Sequence, residues 1–155
     1  MPSPRLTAAS LLALALVFAP ACSSGEGQRA EAARVLHAVD RLVAADRSAK
    51  APPLRELEAQ PCADPAVCRA KAACVGAFQP LEESARLQRE VRAAMAANAS
   101  APPPEAGAGG AKLPPDRALE LFEKTDRAER AKQASEQHMD ACLHEAARLR
   151  TTLRL

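Results

Sequence analysis

The run His138-Met139-Asp140-Ala141-Cys142-Leu143-His144-Glu145 is the densest set of ligand-type side chains in the chain. His138 and Cys142 stand four apart, so on a helix they share a face. With Met139 beside them they offer a soft nitrogen–sulfur pair of the kind that suits Cu(I) or Zn(II). Two ligands do not close a site, His144 falls on another face, and closed zinc sites use four donors. His138, Cys142 and His144 are therefore weak metal candidates, and the expectation is no metal and no other cofactor. A disulfide is the better use of Cys142.

The chain has 5 cysteines, at positions 22, 62, 68, 74 and 142. The spacing Cys62-x5-Cys68-x5-Cys74 has neither the C-x2-C of common zinc sites nor the C-x-x-C-H of haem attachment. A catalytic cysteine needs a free thiolate beside a base, and none of these is spared from pairing. Carboxylates cluster at Glu82-Glu83 and along Glu120, Glu123 and Asp126, with Lys124, Arg127 and Arg130 four residues further on. That spacing predicts exposed helix ion pairs worth a few tenths of a kcal/mol each. General acid–base work requires burial in a pocket, which nothing in the pattern signals. No G-x-S-x-G, phosphate loop or dinucleotide fingerprint occurs. The expectation is a protein that is not an enzyme.

The elements that position these residues are helices. Alanine dominates, followed by Leu, Arg and Glu, all strong helix formers with little rotamer cost. Few β-branched residues remain to build strands, so the fold class is all-α. Gln28 to about Arg47 reads as a first helix, with Val35, Leu36, Val39, Leu42 and Val43 at helical spacing. Pro52-Pro53 ends it, and Leu54–Gln60 is a short helical turn. Asp64-Pro65 is a start signal, an N-cap followed by a proline at the first helical position. The helix it opens runs to Asn98, with a kink or break expected at Gly76–Pro80. Residues 99–115 read as a flexible Pro/Gly-rich linker. The last helix starts at Asp116, and Arg148, Arg150 and Arg154 near its end complement the helix dipole.

If the two long helices form an antiparallel hairpin, Cys74 lies 24 residues before Asn98 and Cys142 lies 26 after Asp116. The two are then level to within about 3 Å. The same register sets Phe78 near Met139, and Met95 near Leu121 and Phe122. Cys68 and Cys74 on one helix are about 9 Å apart along the axis and about 240° apart around it, too far to bond. The favoured pairing is Cys62–Cys68 with Cys74–Cys142. The alternative, Cys62–Cys74 with Cys68–Cys142, fits the register less well. The architecture expected is a disulfide-stapled antiparallel helical hairpin with an additional N-terminal helix, resembling a three-helix bundle.

Residues 1–21 read as an address. Arg5 precedes Leu6–Ala19, which carries no charge. The run is short of the roughly 20 residues a membrane span needs, and it ends in small residues, as a secretory signal peptide does. Ala19-Pro20-Ala21-Cys22 resembles the lipobox of bacterial lipoproteins, with small Ala21 before the cysteine and Ser23-Ser24 after it. The resemblance covers residues 1–24. It implies cleavage before Cys22, acyl chains (palmitate among them) on that cysteine, and a membrane anchor facing the periplasm. Ser23 in place of Asp implies the outer membrane. Ala19-Pro20-Ala21 is also an A-x-A site, so plain secretion is the alternative. Setting Cys22 aside leaves four cysteines, an even number for an oxidising compartment. The domain plan is then signal peptide 1–21, tether 22–27 and helical domain 28–155.

Removing Arg5 with the leader lowers the formal charge from +2 to +1, so no nucleic-acid footprint is indicated. Phe78 and Phe122 are the aromatics left. The expected function is a structural or protein-interaction module of the cell envelope. Its partners are the membrane, through lipid on Cys22, and an envelope protein. Leu81, Leu87, Val91 and Met95 form a stripe that belongs to the chain's own core or, if surplus, to a partner or a second copy. A periplasmic metal-binding or redox-sensing protein, and an inhibitor or immunity-type lipoprotein, are the alternatives.

Overall fold

The computed structural model describes residues 25–100 and 113–155. The signal peptide, the lipobox with Cys22, and residues 101–112 of the expected linker lie outside the described residues. Those described are helical, with no strand among them: α1 (Gly25–Ala44), a 3-10 turn (Arg47–Ala49), α2 (Ala51–Ala59), α3 (Pro65–Ala99) and α4 (Pro115–Leu153). No helix among them is long and apolar enough to cross a membrane.

The helix boundaries follow capping chemistry. Asp64 caps α3, its Oδ1 accepting from the Ala66 and Val67 amides at 2.8 and 3.1 Å. Gln28 of α1 donates to its other oxygen at 2.7 Å. Glu31 accepts from the amides of Ala63 and Asp64 at 2.5 and 3.2 Å. The entrance of α3 is thereby tied to the start of α1. α4 ends on Arg154, whose φ of 52° is the left-handed turn typical of a helix stop.

Three expectations about boundaries change. α1 starts at Gly25, so Gly25–Gly27 of the expected tether are helical. Pro52 and Pro53 lie at the start of α2, where a missing N–H costs nothing, as well as beyond the end of α1. α3 does not break at Gly76 or Pro80 and runs as one helix of 35 residues. Packing along its length compensates for the one backbone bond that Pro80 cannot donate.

The core cluster gathers Val35, Val39 and Leu42 of α1, Leu54 and Leu57 of α2, Val67, Cys74 and Phe78 of α3, and Cys142, Leu149 and Leu153 of α4. Val43, expected among the buried stripe, is 48% exposed. α3 and α4 meet along a longer seam. Buried residues on α4 recur every seven positions: Leu121, Ala128, Ser135, Cys142 and Leu149. On α3 the matching sets are Val67 with Cys74, and Ala70, Ala77 and Ser84. A seven-residue period is what keeps two helices in contact over many turns. Most of these positions are small, so the backbones approach closely, to a Cα–Cα distance of 4.4 Å at Cys74 and Cys142. Partners on α4 descend in number as those on α3 ascend. Cys74 meets Cys142, Glu83 pairs with Arg127, and Glu90 lies 3.4 Å from Lys124.

Candidate functional site

The structure bonds Cys62 to Cys68 and Cys74 to Cys142. The first staple closes the turn around Asp64-Pro65. The second crosses from α3 to α4, and both of its residues are fully buried. Cys142 is therefore no thiolate donor, because its sulfur is bonded to Cys74. His138 and His144 are exposed on α4. The three weak metal candidates are not brought together as a ligand set. No group of three or more His, Cys, Asp or Glu placed to hold a metal occurs among the described residues.

The acidic clusters divide between helix and cross-helix pairs. Lys124 pairs with Glu120 at 3.1 Å, and Arg130 with Asp126, at the expected spacing of four. Arg127 does not take Glu123 but crosses to Glu83 of α3, because both stand beside the seam. Glu90 is held between Arg86 and Lys124. Burial works to raise its carboxyl, but hydrogen bonds and charge from those two cations outweigh it and hold it below the ordinary range. Hydrogen bonds from Lys124 and Arg117 do the same for Glu120. The Lys124 ammonium is raised in turn, chiefly by Glu120.

Beyond the core cluster, α3 and α4 continue together. Leu87, Leu121 and Ala128 are buried there, but they stand outside that cluster. α1, at about 1.5 Å per residue, is roughly 30 Å long, whereas α3 and α4 exceed about 50 Å. The far end has two helices and nothing of α1 or α2 to cover their outer faces. Leu81 is half-buried against the core, Leu87 is buried, Val91 is half-buried and Met95 is 60% exposed. Leu119 is 59% and Phe122 70% exposed. Met95 and Phe122, expected near each other as apolar partners, are thus both left largely in solvent, while Leu121 is buried. Phe122 stands one residue, about 100°, off the seam that carries Leu121, and no third helix reaches it. Phe78 behaves as expected: it is buried, and Met139 packs against its cluster.

Sequence reasoning missed the junction between α1 and α2. Lys50 is 8% exposed, and its ammonium donates to the carbonyls of Leu42, Val43 and Ala45 at 2.8, 3.3 and 2.7 Å. It also stands 5.4 Å from the Phe78 ring centroid, within cation–π range. Burial lowers its affinity for a proton, Asp46 acts against that shift, and Arg47 adds to it. Beside it a cavity of about 230 Å³ opens between the 3-10 turn, α3 and α4. The sequence signals of this junction are spread over residues 47, 81 and 132–139, which no local motif joins.

Comparison with protein-family models, with curated proteins and with solved structures found no match.

Proposed function

We propose that this chain is a non-enzymatic lipoprotein of the cell envelope that presents a docking arm to a partner protein. In this reading α3 and α4 form a disulfide-stapled antiparallel hairpin. α1 and α2 brace its base in the manner of a three-helix bundle. Lipid on Cys22 holds the protein to the membrane, with the outer membrane favoured by Ser23.

The observation that carries the reading is the exposure of Met95, Leu119 and Phe122 at the end of α3 and α4 that α1 does not reach. They are the three most exposed of six such side chains on the described surface, Val43, Leu143 and Leu155 being the others, and grouped apolar surface marks interaction sites. Polarity of the molecule supports the same reading. Gln28 of α1 bonds Asp64 at the entrance of α3, so the N-terminus of α1 lies at the base. The three residues from Cys22 to Gly25 span at most about 10 Å. A lipid there would hold the base at the membrane, and Met95 would stand about 45 Å up α3 from that end. The partner expected is an envelope protein offering an apolar helical face.

A photocrosslinking residue in place of Phe122, in cells, tests this. A discrete heterologous adduct is expected that disappears with Met95→Ser and Leu119→Ser. The same crosslinker in place of Leu143 at the base should form no such adduct. Adducts of equal yield from both positions, or none from position 122, would reject the docking reading. An adduct of twice the chain mass would replace the envelope partner with a second copy.

A further inference from the structure

The cavity beside Lys50 has the make-up of a ligand site, and it stands apart from the docking arm. Its volume of about 230 Å³ exceeds the roughly 150 Å³ of an apolar cavity that takes up benzene, so a molecule of about eight non-hydrogen atoms fits. Leu81 and Ala85 of α3 and Met139 of α4 give it a hydrocarbon surface. Three cations line it, Arg47, Lys50 and Lys132, against one carboxylate, Glu136. Lys50 is engaged by the end of α1. Lys132 is held only loosely, 3.8 Å from a Glu136 whose side chain is 66% exposed. The Arg47 side chain makes no hydrogen bond or salt bridge with another described residue.

A second observation is independent of the charges. Ser135 is 2% exposed, lines the cavity, and its hydroxyl has no hydrogen-bond partner among the described residues. The oxygen is not sealed off from solvent, so it opens onto the cavity and is available to a ligand there. Ser135 lies three residues from Lys132 and four from Met139, so all three share one face of α4. A polar donor, a mobile cation and an apolar wall therefore converge on one small space.

We propose that this cavity binds a short-chain aliphatic carboxylate of about six carbons, about eight non-hydrogen atoms in all. The carboxylate sits between Arg47 and Lys132 and accepts a hydrogen bond from Ser135. The chain lies along Leu81 and Met139. Two charge-assisted contacts select an anion, and the apolar wall selects a chain over a bare ion. Glu136 opposes the ligand and swings outward when it binds.

Sodium hexanoate is the probe, titrated into the full chain with its disulfides intact and methyl-labelled methionine. The chain has 3 methionines, so the Met139 and Met95 signals are readily separated. Hexanoate is expected to move Met139 and leave Met95 still, with a dissociation constant on the order of 1 mM. Acetate and hexanamide should each bind at least about tenfold more weakly. Arg47→Gln, on an exposed side chain, and Lys132→Gln, on a partly exposed one, should each weaken hexanoate about fivefold, and Glu136→Gln should tighten it. Hexanamide binding as well as hexanoate would overturn anion recognition. Unaffected binding in both cation variants would do the same. A shift at Met95, or none at Met139, would overturn the site itself.

Discussion

Lys50 shows how much one side chain can organise. The last carbonyls of α1 have no partner within the helix, and the Lys50 ammonium accounts for those of Leu42 and Val43 and for that of Ala45 just beyond. A cation at a helix C-terminus also meets the negative end of the helix dipole. Replacing it by methionine keeps the stem and removes the charge. Lys50→Met is expected to destabilise the fold by about 2 kcal/mol, because buried carbonyls are left without a donor. Urea unfolding followed by circular dichroism checks this, and an unchanged midpoint would show that water replaces the ammonium. Nothing in the sequence singles out this lysine, since its acceptors belong to a helix that ends before it and its aromatic partner lies 28 residues away.

Among the elements, α3 and α4 depend on their seam and their staples. The seam is rich in Ala and Ser, which allow close approach but bury little apolar area. Cys74–Cys142 joins residues 68 apart and Cys62–Cys68 residues 6 apart. Loop-closure entropy grows with the logarithm of that span, giving about 4 kcal/mol for the first and about 2 kcal/mol for the second. Paired Cys→Ala replacement at 74 and 142 should therefore cost more than the same change at 62 and 68, measured as unfolding free energies. Equal losses would place the effect in native packing instead.

The ion pairs beside the seam add a pH dependence of definite sign. Glu90 and Glu120 hold their protons less tightly folded than at the ordinary carboxylate value of 4.5. Their contribution is thus fully present above that value and is lost as pH falls through the lower, folded values. Unfolding midpoints at about pH 6 and about pH 3 should differ less in Glu90→Gln/Glu120→Gln than in the parent.

The whole molecule reads as a rod with two unlike ends. One end carries the N-terminus of α1, the Asp64 cap and the core cluster. The other carries Met95, Leu119 and Phe122, uncovered by α1 or α2. An anchor at the first end leaves the second free to meet a partner. Cys22→Ser is expected to move the protein from the membrane fraction to the soluble fraction, checked by ultracentrifugation of lysed cells. An unchanged distribution would remove lipid anchoring and leave secretion or another attachment.

The sequence by itself determined the helices, because composition, proline positions and the Asp64-Pro65 cap act through the nearest few residues. It also favoured the disulfide partners, since a regular rise of about 1.5 Å per residue converts residue counts into levels. Tertiary structure alone decided what those helices do with their side faces. Whether Met95 and Phe122 are buried depends on how far α1 extends beside α3, which no window of sequence contains. Whether Cys142 serves a metal or a staple depends on Cys74 facing it across the seam. The cavity at Arg47, Lys132 and Ser135 exists because a 3-10 turn comes to rest on two helices whose lining residues follow Arg47 by 34 positions or more. Local rules reach one turn of helix; a site needs the places where distant turns meet.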